Sequence, residues 1–111
     1  MLEMLMLINL ERTKPLVLDP ILSEIATERA EYLCDKPFSH DGWIYFIKDV
    51  SYSQAGENLA KGFKTDKKAH KALMKSPTHK ANIINPWYKK VGIGRATCGK
   101  KPDITVELFT S

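Results

Sequence analysis

At 111 residues the chain is long enough to bury a core of its own, and we expect a single domain over residues 1–111. A hydrophobic content of 43% and a charged content of 27% are ordinary for a globular protein. No apolar run approaches the roughly 20 residues of a membrane-spanning helix, so we do not expect the chain to span a membrane.

The charge is divided unevenly along the chain. The net charge of +4 combines −5 over residues 1–60, with five Lys/Arg against ten Asp/Glu, and +9 over residues 61–111, with twelve against three. Five lysines at helical spacing predict one basic face: Lys64, Lys67, Lys68, Lys71 and Lys75. This face is either a solvated helix surface or a docking face for an anionic polymer, a lipid headgroup or an acidic partner. Since no aromatic residues interleave with these lysines, we do not expect nucleic acid as a partner.

The first third of the chain predicts two helices. Residues 2–12 are apolar on most sides and predict a helix that ends before Pro15. Asp19 is expected to cap a second helix, with Pro20 at its first position, that runs to about Cys34. Apolar residues recur along it at helical spacing and predict a buried face, formed by Ile21, Leu22, Ile25, Ala26, Ala30 and Leu33.

The middle of the chain predicts one short strand and one helix. Residues 42–48 have the β-branched and aromatic composition of a strand. A loop at residues 50–54 leads to a short strand over residues 57–62. Asp66 is expected to cap the next helix, in which His70 lies on the exposed lysine face. The residues that this helix turns inward are Ala69, Ala72 and Leu73.

A fourth helix, with clear ends, follows. Ser76 is a good N-cap, and Pro77 loses no needed hydrogen bond at the first helical position. His79 then lies in the first turn, where the positive end of the helix dipole disfavours an imidazolium. We therefore expect a neutral ring that can accept a proton or bind a metal. Asn85 and Pro86 end the helix.

The last third of the chain predicts a pair of strands. Residues 91–97 and 104–109 alternate well enough for two antiparallel strands joined by a turn at 99–103. Gly92 and Gly94 permit a close approach of another backbone to the first of them. With the helices on both sides of a small antiparallel sheet, the element order predicts an α+β fold, an α-β-α sandwich.

Four short motifs follow one another along the chain. They are Ser39-His40, Gly56-Glu57-Asn58-Leu59-Ala60, Ser76-Pro77-Thr78-His79 and Val91-Gly92-Ile93-Gly94. In this order they resemble the CAP superfamily, also called the SCP domain, which includes plant pathogenesis-related proteins and cysteine-rich secretory proteins. The resemblance covers nearly the whole chain. The Ser-Pro-x-His motif with a downstream Val-Gly-x-Gly is most similar to the bacterial secreted type.

The resemblance implies the CAP/SCP fold, with a short helix rather than a strand at residues 42–48. On the residues alone, the two cysteines make neither a disulfide scaffold nor a paired zinc motif. They stand where plant-type relatives carry a bridge from the end of the first long helix to the strand after the Val-Gly motif. The resemblance therefore implies a disulfide between Cys34 and Cys98, and two buried free thiols are the alternative.

The resemblance also implies a cleft lined by four residues, two histidines and two glutamates, which we call the tetrad. This chain matches three members of the tetrad: His40, Glu57 and His79. The second glutamate falls where this chain has Lys75 and Ser76, so the fourth member is missing. Three residues are expected to support the cleft, through a hydroxyl, an amide and a substitute carboxylate: Ser76, Asn82 and Glu107.

Four other residues are expected to have structural roles. Asn58 is expected to bind backbone groups through its amide, and Asp41 to cap the helix that follows it. Trp87 and Tyr88 are expected to pack at the edge of the core.

Three functions are open on this reading. Two imidazoles and a carboxylate suit a borderline divalent metal such as Zn²⁺, which favours an extracellular domain with a binding or signalling role. The same residues could be catalytic in a metal-assisted hydrolase of peptides or cell-wall material, with Glu57 as the base and the histidines holding metal or water. A lipid- or sterol-binding module is the third reading, and whether the protein is an enzyme is left open.

The first residues of the chain are not expected to act as a signal peptide. Residues 1–8 are apolar but lack a basic segment and a small-residue cleavage site, so they make a poor signal peptide. The resemblance nevertheless implies a secreted or cell-surface protein, with the signal peptide absent from this chain.

Overall fold

The computed structural model describes residues 2–111, in which a four-stranded sheet lies between two layers of helices. The helices are α1 (Leu2–Leu10), α2 (Pro20–Leu33), α3 (Trp43–Phe46), α4 (Asp66–Lys75) and α5 (Pro77–Ile84). The strands are β1 (Val17–Leu18), β2 (Ala55–Lys61), β3 (Lys90–Cys98) and β4 (Lys101–Thr110). The predicted α-β-α sandwich is confirmed, and so is the short helix implied for residues 42–48. No helix within residues 2–111 is long and apolar enough to cross a bilayer.

The sheet is mixed rather than purely antiparallel, and its strand order is β1-β3-β4-β2. The pairs β3–β4 and β2–β4 are antiparallel, as predicted. The two residues of β1 were not predicted; they pair in parallel with the start of β3. Such a short strand has no alternation to detect, because its position is set by the strand beside it. Strand β2 is left as the edge strand on the other side.

The long helix α2 begins as its sequence indicates. Asp19 accepts hydrogen bonds from the backbone N–H groups of Ile21 and Leu22, at 2.9 and 3.0 Å, and Pro20 occupies the first helical position. Its buried face includes Leu22, Ala26, Ala30 and Leu33, as predicted. Ile21 was expected on that face but is 67% exposed, because the first turn packs on β3 through Leu22 and Ser23 instead.

The helix α2 packs directly against the backbone of β3 because two glycines lie beneath it. A Cβ atom added at Gly92 would overlap the backbone of Leu22, and one at Gly94 would overlap the backbone of Thr27. The predicted close approach is therefore confirmed. It holds α2 at the distance from the sheet that brings its inward side chains to β2.

A disulfide joins Cys34, just after α2, to Cys98 at the end of β3. The implied pairing is confirmed, and the alternative of two free thiols is excluded, since no free cysteine is present. Because the two cysteines are 64 residues apart, the bridge stabilises the fold by about 4 kcal/mol on the loop-entropy estimate.

Two predicted helix caps are displaced by one residue. Thr65 caps α4 by accepting a hydrogen bond from the N–H of Lys68 at 3.2 Å, and Asp66 is the first helical residue. Gly42, with a φ of 84°, precedes α3, so Asp41 does not cap that helix. Neighbouring Thr-Asp and Asp-Gly pairs each offer two plausible cap residues, and the pattern alone does not separate them.

The structure contradicts the expected burial of two residues. His70 is buried, with 7% of its surface exposed, because it points from α4 toward α1 rather than along the lysine face. Trp87 is 67% exposed, whereas Tyr88 is buried and stacks on Phe109 with ring centroids 5.5 Å apart. The expectation for Tyr88 is therefore confirmed.

Replacing Gly94 by Ala should destabilise the protein by about 3 kcal/mol or more, since the new methyl group would push α2 away from β3. Urea unfolding followed by circular dichroism measures the change. Thr97→Ala, at an exposed position of the same strand, is the control and should cost less than about 1 kcal/mol. Equal stability of Gly94→Ala and the wild type would mean that α2 does not rest on this glycine.

Candidate functional site

The three predicted site residues come from three different elements that meet at the edge strand β2. His40 lies in the loop between α2 and α3, Glu57 lies on β2, and His79 is the third residue of α5. Since α2 and α5 cover opposite faces of the sheet, the two histidines reach this edge from opposite layers. Their proximity is electrostatically significant, because the charge of His40 contributes to lowering the pKa of His79.

The carboxylate of Glu57 is buried and fully engaged. Its side chain is 1% exposed and forms an ion pair with Arg29. Its Oε2 accepts a hydrogen bond from Arg29 Nε at 2.8 Å, and its Oε1 accepts one from the Arg29 Nη2 at 3.3 Å. The same Oε1 lies 2.9 Å from His40 Nδ1. Both oxygens therefore have partners within the protein.

Arg29 is a site residue that the motifs did not reveal. Its side chain is completely buried, and besides Glu57 it binds the carbonyl of Ser39 through Nη2 at 3.0 Å and that of Asp41 through Nη1 at 3.3 Å. These carbonyls flank His40, so one guanidinium fixes both the loop and the carboxylate that this histidine contacts. A signal was present in the sequence: Arg29 lies between Ala26 and Ala30 on the buried face of α2, where an unpaired arginine is rare.

His40 presents one ring nitrogen to solvent. A carboxylate only accepts hydrogen bonds, so the contact with Glu57 places the proton of a neutral His40 on Nδ1. The lone pair of Nε2 is then available to a ligand or a proton. Because the side chain is 55% exposed, that nitrogen is accessible from water.

His79 is held in its neutral form. Burial, and then the charge of His40, lower the pKa of His79 below its ordinary value of 6.5. The expectation of a neutral ring is met, although burial rather than the helix dipole is the leading cause. Its Nδ1 is buried and has no hydrogen-bond partner within residues 2–111.

Two asparagines join α5 to β2 through hydrogen bonds. Asn58 Nδ2 donates hydrogen bonds to the His79 carbonyl and to Glu107 Oε1, both at 3.1 Å. Asn82 Nδ2 donates to Asn58 Oδ1 at 2.9 Å and to the Glu57 carbonyl at 3.3 Å. Asn58 therefore binds a backbone group, as predicted, and links it to a buried carboxylate as well. Asn82 contacts the backbone of Glu57, and its supporting role in the cleft stays a prediction.

Glu107 does not supply the missing carboxylate. Its register partner is Asn58, whereas Glu57 pairs with Leu108, so the two glutamates point to opposite faces of the sheet. Glu107 is completely buried on the α5 side, and burial raises its pKa from 4.5 to about 7. The hydrogen bond from Asn58 acts in the opposite direction and is the smaller effect. Glu107 therefore accepts a hydrogen bond from Asn58 on the α5 side of the sheet and supports the contact of Asn58 with α5.

The hydroxyl of Ser76 lies 3.4 Å from that of Thr78, within the first turn of α5. Ser76 is the N-cap residue by position, but its side chain makes no capping hydrogen bond. A small hollow of about 120 Å³ beside the loop of His40 is lined by residues that include Ser39 and Asp41. Two larger ones lie elsewhere on the surface: one of about 390 Å³ beside the disulfide and one of about 400 Å³ between α1 and α4.

The residues present do not fit a three-ligand metal centre. Within residues 2–111, no group of three or more His, Cys, Asp or Glu side chains is arranged to hold a metal ion. A cation at the expected third ligand, Glu57, would compete with Arg29 and His40 for its oxygens, and a full exchange would displace both. Such an exchange would leave a buried arginine unpaired, which costs several kcal/mol.

Comparison with known proteins finds a matching family model and several similar proteins. The family model described as the cysteine-rich secretory protein family, CAP, matches residues 11–109. The uncharacterized protein YkwD of Bacillus subtilis is 38% identical over 105 residues, which cover 84% of this chain and 41% of that protein. An extracellular protein containing an SCP domain from Bacillus anthracis has a TM-score of 0.86 at 21% identity, covering 99% of this chain and 39% of that one.

An outer surface protein of Borrelia burgdorferi is also similar, with a TM-score of 0.79 at 26% identity, covering 98% of this chain and 86% of that one. By contrast, this chain spans only about two fifths of the length of the two Bacillus relatives.

Replacing Glu107 by Gln should remove one contribution to the pH dependence of the unfolding free energy, because an amide does not titrate. Between pH 4.5 and about 7 folded Glu107 holds a proton that the unfolded chain has released, so this group's contribution to the unfolding free energy falls as the pH rises, by about 3 kcal/mol in total. The lowered pKa of His79 acts in the opposite direction, so the test is a difference between proteins. In urea unfolding, the unfolding free energy of the wild type relative to that of Glu107→Gln should fall as the pH rises, whereas the difference between the wild type and Glu24→Gln, an exposed control, should stay constant. A constant difference between the wild type and Glu107→Gln would contradict the assignment.

Proposed function

Because the chain belongs to the cysteine-rich secretory protein (CAP) family, we propose that it is a secreted or surface-exposed binding domain that takes up a divalent cation between His40 and His79. One observation carries this proposal. The carboxylate of Glu57 is occupied by Arg29 and His40, so it orients an imidazole instead of binding the ion or acting as a base.

The chemistry of two imidazoles selects the kind of cation. Neutral imidazole nitrogens suit Zn²⁺, Cu²⁺ and Ni²⁺, whereas Mg²⁺ and Ca²⁺ prefer oxygen ligands. The lowered pKa of His79 favours cation binding, because a smaller fraction of its rings carries a proton that the cation would have to displace at neutral pH. Two protein ligands would hold the ion weakly and leave positions open. A bound ion would supply a positive centre that an anionic group of a partner can bind.

The proposed location outside the cytoplasm has two supports. The Cys34–Cys98 disulfide is a bond that persists in oxidising compartments. The relatives from Bacillus anthracis and Borrelia burgdorferi are described as an extracellular protein and an outer surface protein.

A hydrolase remains the second candidate because His40 and Glu57 form a carboxylate–imidazole pair. With Glu57 bound to Arg29, His40 would have to be the base that activates water, in place of the predicted Glu57. Binding is the preferred function because the base predicted for hydrolysis, Glu57, is already held by Arg29.

Calorimetry with Zn²⁺ and Ni²⁺ tests the cation proposal. We expect heat of binding with both ions and none with Mg²⁺, and a loss of affinity of about tenfold or more in His40→Ala and in His79→Ala. His70 is a control within the same molecule, since it is the only other histidine. In proton NMR the cation should move the ring signals of His40 and His79 and leave that of His70 in place.

Absence of binding in the wild type, or unchanged binding in both alanine variants, would remove the proposal. Turnover of a peptide or cell-wall substrate that ends in His40→Gln and continues in a chelator would establish the hydrolase instead.

A further inference from the structure

The outward face of α1 carries a row of large apolar side chains. Leu2, Met6 and Leu10 are 74%, 58% and 75% exposed. They follow one another one turn apart, on the side opposite to Met4 and Ile8, which are completely buried. Single exposed apolar residues are common on protein surfaces, but three aligned on one helix make a contiguous patch that marks an interaction site.

The outward face of the neighbouring helix α4 is basic. Ala69, His70 and Leu73 point inward, and α1 and α4 bury residues in the same core cluster against the sheet. Both outward faces therefore point away from the sheet in the same general direction. The exposed lysines on α4 are Lys67, Lys68, Lys71 and Lys75.

An open groove joins the two helices. It holds about 400 Å³ and is lined by Leu7 of α1, by Glu11 just after it, and by residues of α4: His70, Met74 and the three lysines Lys67, Lys71 and Lys75. We call the surface made by Leu2, Met6, Leu10 and these three lysines the α1–α4 face.

The charge of the α1–α4 face is positive and largely uncompensated. Within residues 2–111, none of these three lysines lies within ion-pair distance of a carboxylate. Of the acidic residues nearby, Glu11 lines the groove and offsets one of the three lysine charges, and Asp66 lies 3.6 Å from Arg95. Glu3 at the start of α1 is the remaining acidic group.

We propose that the α1–α4 face binds peripherally to an anionic phospholipid bilayer, with the lysines against the headgroups and the three apolar side chains in the interfacial layer. An anionic polymer would attract the lysines but would leave the apolar row in water. A second copy of the chain would cover the apolar row but would bring two sets of lysines together. A bilayer satisfies both features, because its surface is charged and its interior is apolar.

The proposal is independent of the cation site. The histidines lie at the edge strand β2, whereas the α1–α4 face lies on the outside of the helix layer. A domain bound through this face would sit on the membrane surface without entering it.

Co-sedimentation with vesicles tests the proposal. The chain should bind vesicles of equal parts phosphatidylglycerol and phosphatidylcholine, and not vesicles of phosphatidylcholine alone. Each lysine near an anionic surface contributes about fivefold to partitioning, so loss of three should reduce binding about 100-fold. The variant is Lys67→Gln with Lys71→Gln and Lys75→Gln. Its control removes three exposed lysines elsewhere: Lys36→Gln with Lys48→Gln and Lys100→Gln.

The apolar row is tested separately. Met6→Ser with Leu10→Ser should reduce binding about tenfold or more, because two side chains no longer enter the interface. The control is Ile21→Ser with Tyr45→Ser, two positions that are equally exposed but lie on other elements. All these residues are on the surface, and circular dichroism verifies that each variant is folded.

Three results would overturn the proposal. One is wild-type binding that is absent or equal for the two kinds of vesicle. Another is binding that falls in the lysine variant but is unchanged in Met6→Ser with Leu10→Ser, which would indicate a polyanion site. The last is a dimer in analytical ultracentrifugation that Met6→Ser with Leu10→Ser dissociates, which would indicate that a second copy covers the face.

Discussion

The buried ion pair between Arg29 and Glu57 is the interaction on which the site depends. Both side chains are almost entirely removed from water, where either charge alone would cost several kcal/mol. The pair is also fully hydrogen-bonded, since Arg29 binds the carbonyls of Ser39 and Asp41 as well. One guanidinium therefore ties α2, the loop of His40 and the edge strand β2 together.

This pair decides which groups are left to do chemistry. It turns Glu57 from a possible ligand into the residue that orients His40, and it leaves the Nε2 atom of that ring facing water. On the other face of the sheet, Asn58 and Asn82 hold the backbone of α5 against β2, which sets His79 beside the same edge. The glycines of β3 contribute from a distance, because they fix how closely α2 approaches the sheet.

Much of the fold could be predicted because its signals are local. Asp19 with Pro20 marks a helix start on its own, and a resemblance of motifs was enough to pair Cys34 with Cys98. Other features depend on register and packing: the side of the sheet to which Glu107 points follows from its pairing with Asn58, which no short pattern encodes. For the same reason, the burial of His70 and the role of Arg29 emerged only with the tertiary structure.

The central claim is that Glu57, held by Arg29, fixes the proton of neutral His40 on Nδ1. Long-range proton–nitrogen NMR of the imidazole rings tests it most directly, because protonated and unprotonated ring nitrogens have distinct ¹⁵N shifts. The account predicts a protonated Nδ1 and a free Nε2 for neutral His40 in the wild type, and a mixture of tautomers in Glu57→Gln, whose amide can donate to Nδ1 as well as accept from it. A wild-type His40 that carries its proton on Nε2 would contradict it.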